Sequence, residues 1–171
     1  MIVVSDTNML SSFAAADALP VLLRLFVRTE IYIPPAVLEE IQVAIKNGRT
    51  YLNDILKAIT DQQIILLPLT NDEIQALAVL PHRLNAGERQ AIVLVQERNG
   101  VLLSNDKRAV RYCAQQSIRT IELIDALRLL WIRQILTQNE VKQLVERMVL
   151  VEHLTLTPDQ RAIIYAPYRK R

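Results

Sequence analysis

Four acidic residues, Asp6, Glu40, Glu88 and Asp106, are the positions at which this chain could do chemistry. Each lies just past an apolar strand-like run or on the inward side of the helix that follows one. Asp6 follows Ile2-Val3-Val4-Ser5, and Asp106 follows Val101-Leu102-Leu103-Ser104-Asn105. A carboxylate in such a place is costly unless something positive meets it. In a parallel sheet the carboxyl ends of the strands open on one crevice, where ligands bind. Four carboxylates converging there predict a divalent-cation site, and with it phosphate or phosphodiester chemistry.

Each acid also has a purely architectural reading. Glu88 has Ala91, Ile92 and Val95 three, four and seven positions later, so it shares the apolar stripe of its helix. Stabilising the helix dipole from the first turn needs no such inward placement. Asp106 or Asn105 could simply cap the helix they open, and Asp6-Thr7-Asn8 could be an N-cap cluster. Capping needs only one side chain, and metal sites use neighbours such as Thr7 and Asn8 to support their ligands. Glu39 and Glu40 compete for the second position. Glu40 flanks the face carrying Val37, Leu38, Ile41, Ala44 and Ile45, whereas Glu39 points away with Gln42 and Lys46. His82 and His153 have no partners at catalytic spacing, and Ser11-Ser12 has no base beside it.

The elements that must position these acids alternate. Strands are predicted at 1–5, 31–33, 63–67, 101–104 and 118–121. Helices are predicted near 8–28, 35–47, 51–59, 71–79, 86–98 and 106–116. Such alternation implies an α/β fold with a central parallel sheet covered on both faces. Past Glu122 the pattern is purely helical, near 123–136, 138–151 and 158–165. The predicted partition is residues 1–122 as the sheet domain and 123–171 as a C-terminal helical extension packed on it.

Composition narrows the classes. The 171 residues suffice for one domain, and a hydrophobic content of 51% excludes disorder. A net charge of +2 gives no chain-wide attraction to nucleic acid, although a local basic patch remains open. The single cysteine, Cys113, excludes an internal disulfide and cysteine-rich zinc sites. Three glycines form neither a dinucleotide fingerprint nor a P-loop. Gly100, after Asn99, is the expected stop of the helix over 86–98. The opening residues are too short for a signal peptide, and Leu123–Leu136 is too short and too charged to span a bilayer. A soluble, cytoplasmic protein with no membrane partner is expected.

Four stretches carry a resemblance. They are Val3-Val4-Ser5-Asp6-Thr7-Asn8, Ile33-Pro34-Pro35-Ala36-Val37-Leu38-Glu39-Glu40-Ile41, Leu84-Asn85-Ala86-Gly87-Glu88-Arg89-Gln90-Ala91-Ile92 and Leu102-Leu103-Ser104-Asn105-Asp106-Lys107-Arg108-Ala109. In order and spacing they resemble PIN-domain ribonucleases, particularly VapC-like toxins, from Met1 to about Glu122. The helical tail resembles a subgroup with the Gly-Glu form of the third motif. The resemblance implies a three-layer α/β/α PIN-like domain. It implies that Asp6, Glu40, Glu88 and Asp106 bind metal and catalyse, with Asn8 and Ser104 in support. Two departures stand out: Arg108 and Gln90 occupy positions where many relatives carry further acids.

The function expected is a metal-dependent endoribonuclease using Mg²⁺ or Mn²⁺, the toxin of a type II toxin–antitoxin system. RNA, a small antitoxin protein and a homodimer mate are the partners the resemblance implies. Arg89, Lys107 and Arg108 flank the acids and are candidates to meet substrate phosphates, against ordinary solvated helix surface. Tyr168-Arg169-Lys170-Arg171 is a further basic candidate for RNA contact. The alternative is a non-catalytic PIN-fold module that binds nucleic acid or protein, which Gln90 and Arg108 favour. A third reading, a phosphohydrolase of small phosphoesters, is disfavoured by the lack of glycine loops.

Overall fold

The computed structural model describes residues 1–167, so the basic stretch Tyr168–Arg171 lies outside the described residues. Five short strands form one sheet: β1 (Val3–Ser5), β2 (Ile31–Ile33), β3 (Ile64–Leu66), β4 (Val101–Leu103) and β5 (Thr120–Ile121). Their order is β3-β2-β1-β4-β5, and every pairing is parallel. Val3 lies opposite Ile31 on one side and Val101 on the other. The chain builds outward from β1 to β3, then returns to lay β4 against the free side of β1. That reversal puts the topological switch point between β1 and β4, where open α/β sheets bind ligands. Asp6 and the Ser104–Asp106 turn are the first residues beyond those two strands.

Strand periodicity divides the interior in two. Val3, Ile31, Ile33 and Leu103 face a core with Met9, Phe13, Leu22, Ile41 and Leu127. Val4 and Leu102 face the opposite way, onto Ile92, Leu94, Ala109 and Cys113. Successive strand side chains point to opposite faces, so both strand faces must be apolar when helices cover both. The result is the three-layer α/β/α arrangement. The sequence after Glu122 joins the first of these cores: Leu123, Leu127, Leu130, Val141, Leu144, Met148 and Ile164 all contribute. Leu127, Leu130 and Leu144 are thus interior, whereas Leu150 and Val151 are exposed. No helix among the described residues is long and apolar enough to cross a membrane.

The helix expected over 8–28 is two helices, α1 (Thr7–Ala15) and α2 (Leu19–Leu25). Asp17 takes a left-handed φ of 52°, and Pro20 lies in the first turn of α2. A residue in that conformation ends a helix, and proline fits only the first turn of the next. The following helices are α3 (Pro35–Lys46), α4 (Asn53–Thr60), α5 (Asn71–Ala76), α6 (Ala86–Glu97) and α7 (Lys107–Gln115). Short 3-10 turns at Thr50–Leu52 and Leu77–Val79 adjoin α4 and α5. The tail supplies α8 (Leu123–Ile132), α9 (Gln138–Glu152) and α10 (Pro158–Tyr165). Trp131 on α8 donates its indole N–H to the Ile164 carbonyl at 2.7 Å, tying α8 to α10.

Gly100 serves a purpose other than the stop expected of it. Asn99 holds the left-handed position after α6, with φ 49°. A Cβ on Gly100 would lie 2.8 Å from the Ile2 side chain and 3.0 Å from the Ile2 carbonyl oxygen. The glycine therefore lets β4 begin in close contact with the residue before β1.

Candidate metal centre

The site is built from the starts of α1, α6 and α7 and from the second turn of α3. Asp6 N-caps α1: the Met9 N–H donates to Asp6 Oδ1 at 2.9 Å. Ser104, fully buried at the end of β4, donates its hydroxyl to Asp6 Oδ2. The same Ser104 oxygen accepts the Asp106 N–H at 3.2 Å. One hydroxyl thus links the acid after β1 to the acid after β4. Asp106 N-caps α7, accepting from the Arg108 and Ala109 N–H groups at 2.8 and 3.1 Å.

Glu88 is in the first turn of α6 and only 2% exposed. It forms a capping box with Asn85. Its carboxylate accepts from the Asn85 backbone and amide nitrogens, both at 3.1 Å, and the Glu88 N–H donates to Asn85 Oδ1 at 2.7 Å. Glu88 therefore has the capping role and the inward placement together. Glu40, half-buried on α3, accepts the Gly87 N–H at 3.0 Å through Oε1 and the Thr7 hydroxyl through Oε2. Glu39 is exposed. A Cβ at Gly87 would stand 2.8 Å and 2.9 Å from the two Glu40 carboxylate oxygens. The glycine beside Glu88 is what lets the Glu40 carboxylate reach the start of α6.

The charges are coupled. Burial, only 3% exposure being left, pushes the Asp6 carboxyl up to about 7. Hydrogen bonds from Met9 and Ser104 oppose that rise, and the charges of Glu88 and Asp106 add to it. Glu88 also lies above the usual carboxylate range. Burial is the main cause, the Asn85 N–H opposes it, and Asp106 and Glu40 push it further while Arg108 pulls it back. Buried acids that repel one another, with a cation only at the exposed rim of the cluster, mark a functional site more often than a structural one.

Among the described residues, no three His, Cys, Asp or Glu side chains stand close enough together to grip one ion. The donor set is all carboxylate oxygen, which suits a hard divalent cation and not a soft one. Mg²⁺ keeps several waters and commonly uses only one or two carboxylates, so the residues fit a hydrated ion better than a caged one.

The remaining candidates are less centred. Asn8 is exposed on α1 beside Asp6. Arg108 is exposed, with Nε 3.6 Å from Asp106 Oδ1, and Lys107 is exposed next to it. Arg89 turns away: its guanidinium donates to the Leu77 carbonyl. Gln90 Oε1 accepts the Ala36 N–H at 2.9 Å, which staples α6 to the start of α3. His82 and His153 are both exposed. The sequence named Thr7 among the neighbours that support a metal site and Gln90 only as a departure from the motif, and it gave Gly87 no site-building role.

A family profile described as DUF3368: PIN domain matches residues 2–155. The chain belongs to the PIN-domain family, and its fold is of nuclease type. The match runs past residue 122 and through α9. No curated protein matches the chain.

Proposed function

We propose that this protein is a Mg²⁺- or Mn²⁺-dependent endoribonuclease that hydrolyses RNA phosphodiester bonds. The supporting observation is the coupling of buried acids at the switch point of the sheet, with Asp6 raised to about 7 by burial and by its acidic neighbours. Asp6, Glu40, Glu88 and Asp106 would surround the ion, one or two of them bound to it directly and the others through its waters. A divalent cation at such a site supplies an activated water and stabilises the leaving oxygen of an in-line displacement.

The chain's own residues prepare the place. Ser104 orients Asp6 and the turn that carries Asp106. Thr7 and the Gly87 N–H orient Glu40. Asn85 fixes Glu88 through three hydrogen bonds. Each carboxylate retains acceptor capacity beyond these bonds, because an ionised carboxylate has about four lone-pair sites. Arg108, beside Asp106 and felt by Glu88, supplies positive charge for a substrate phosphate. The toxin role, a neutralising antitoxin protein, homodimerisation and cytoplasmic action complete the proposal and rest on the motif resemblance.

Two observations favour a second reading, a non-catalytic module that binds nucleic acid or protein. No three acids converge tightly enough for an ion among the described residues, and Gln90 is engaged in a helix-to-helix bond. One experiment separates the two readings. Purified protein is incubated with mixed RNAs in Mn²⁺ and in chelator, beside Asp6→Asn. Cleavage that is lost in both chelator and variant supports the nuclease. Equal cleavage by the variant contradicts it, and RNA binding without cleavage supports the module.

A further inference from the structure

A polar groove of about 630 Å³ runs from Asp106 along the outer side of α1. Its walls come from four separate parts of the chain. Asn8 lies on α1, Arg49 and Tyr51 on the turn before α4, Asn105 after β4, and His153 at the end of α9. The size falls in the range of roughly 300–1,000 Å³ that holds small-molecule ligands, the scale of a nucleotide.

The walls are fixed against one another. Ser12 on α1 donates to Glu152 at the end of α9 at 2.9 Å. Ser11, only 8% exposed, pairs with the Tyr51 hydroxyl at 3.3 Å. Arg147 donates to the Ala16 carbonyl at 2.9 Å, clamping α9 to the end of α1. A groove so braced is ready for a ligand before the ligand arrives, which lowers the cost of binding.

Two carboxylates line the groove, Asp106 at its end and Glu152 held by Ser12, and Arg49 is the cation that a phosphate would meet there. Arg49 is exposed and cationic, as a phosphate contact requires. Tyr51, partly buried against the core with its hydroxyl paired to Ser11, lines the groove with the rest of its aromatic surface, against which a base can pack. Asn8 and Asn105 offer amides that pair with base edges. A duplex would keep its bases stacked and paired, so these groups favour an unpaired strand. Asp106 at one end joins the groove to the acid cluster.

We propose that this groove seats a nucleotide of single-stranded RNA next to the scissile phosphate, with Arg49 as its phosphate anchor. The inference rests on the nuclease reading and extends it. Beside Asn8 and Asn105 of the motifs, it assigns substrate grip to Arg49 and Tyr51 and to the end of α9, which lie outside them.

The test measures binding without turnover. Fluorescently labelled single-stranded RNA of ten nucleotides is titrated with the full chain in chelator, at several salt concentrations. Arg49→Glu is compared with Arg28→Glu, an equal charge change on an exposed residue before β2, at the other end of the strands. His153→Asn serves as a third variant, because asparagine tolerates the left-handed φ of 52° at that position. Arg49→Glu is expected to weaken binding about 10-fold and to reduce the salt slope by about one. Arg28→Glu is expected to stay within about twofold, and His153→Asn to fall between them. Equal losses for Arg49→Glu and Arg28→Glu, or no loss for Arg49→Glu, overturn the groove. Parallel cleavage assays in Mn²⁺ separate the failures. Wild-type cleavage with unchanged binding by Arg49→Glu sinks the groove alone. Neither binding nor cleavage by the wild type sinks both readings.

Discussion

Two buried carboxylates in this molecule meet opposite fates. Glu73, in the first turn of α5 and 5% exposed, receives two hydrogen bonds from the Arg98 guanidinium at 2.6 and 2.8 Å. The Thr70 N–H adds a third at 2.7 Å, and the Glu73 carboxyl is pulled down to about 2, mainly by Arg98. Asp6 exposes as little surface but lies deeper in the protein, and burial is the main cause of its shift; among the described residues it receives only neutral donors, and Glu88 and Asp106 push it further. It rises to about 7. The fold can pair a buried acid with a forked arginine where stability is the purpose. At the ends of β1 and β4 the buried Asp6 and Glu88 lie beside other acids, and the exposed Arg108 reaches only Asp106, at 3.6 Å, which is the arrangement the proposed cation site calls for.

The widest separation should come from Asp6→Asn. RNA cleavage should fall more than about 100-fold, since loss even of outer partners of a metal site typically costs 10–100-fold. The melting temperature should hold, because asparagine is as good an N-cap as aspartate. A large drop in melting temperature would place Asp6 with Glu73 as a structural acid.

Gly87→Ala sharpens the same contrast. The added methyl meets the Glu40 carboxylate, the mobile end of a long side chain, which must swing away. Cleavage should fall about 10–100-fold while stability stays level or gains up to about 1 kcal/mol, since alanine is the better helix former. Urea denaturation beside an activity assay checks both halves. Unchanged activity would remove Glu40 from the site.

Glu73→Gln should behave in reverse. It should lose about 1–2 kcal/mol of stability in urea, because Arg98 is left without its carboxylate, and cleavage should change less than twofold. The pH dependence has a definite sign. A carboxyl lowered from 4.5 to about 2 contributes stability that is complete above about pH 4.5 and fades as pH falls toward 2. The stability gap between wild type and Glu73→Gln should therefore shrink from about pH 7 to about pH 3. A constant gap would mean that the pair contributes packing and not charge.

The sheet was legible because its strands are short apolar runs bounded by polar turns, and their alternation with helices dictates parallel pairing. Asp6 and Asp106 were legible for the same reason, since they end such runs. Glu88 announced itself through helical spacing against Ala91, Ile92 and Val95. The break between α1 and α2 was missed although Asp17 and Pro20 stand at it, because apolar residues continue on both sides of the left-handed turn. Gly87 was hidden more deeply. Its role is a close approach to Glu40, 47 positions earlier in the chain, which no local pattern encodes. The same holds for Gln90, whose partner is the Ala36 N–H, and for the groove, whose walls come from four distant segments.

The most direct test of the central claim is the melting temperature of wild type and Asp6→Asn with and without millimolar Mn²⁺ or Mg²⁺. A ligand of the native state stabilises it in proportion to its occupancy. A rise for the wild type that is absent from Asp6→Asn is the result expected of a cation site built from these acids. No rise for the wild type, or the same rise for both proteins, would contradict it.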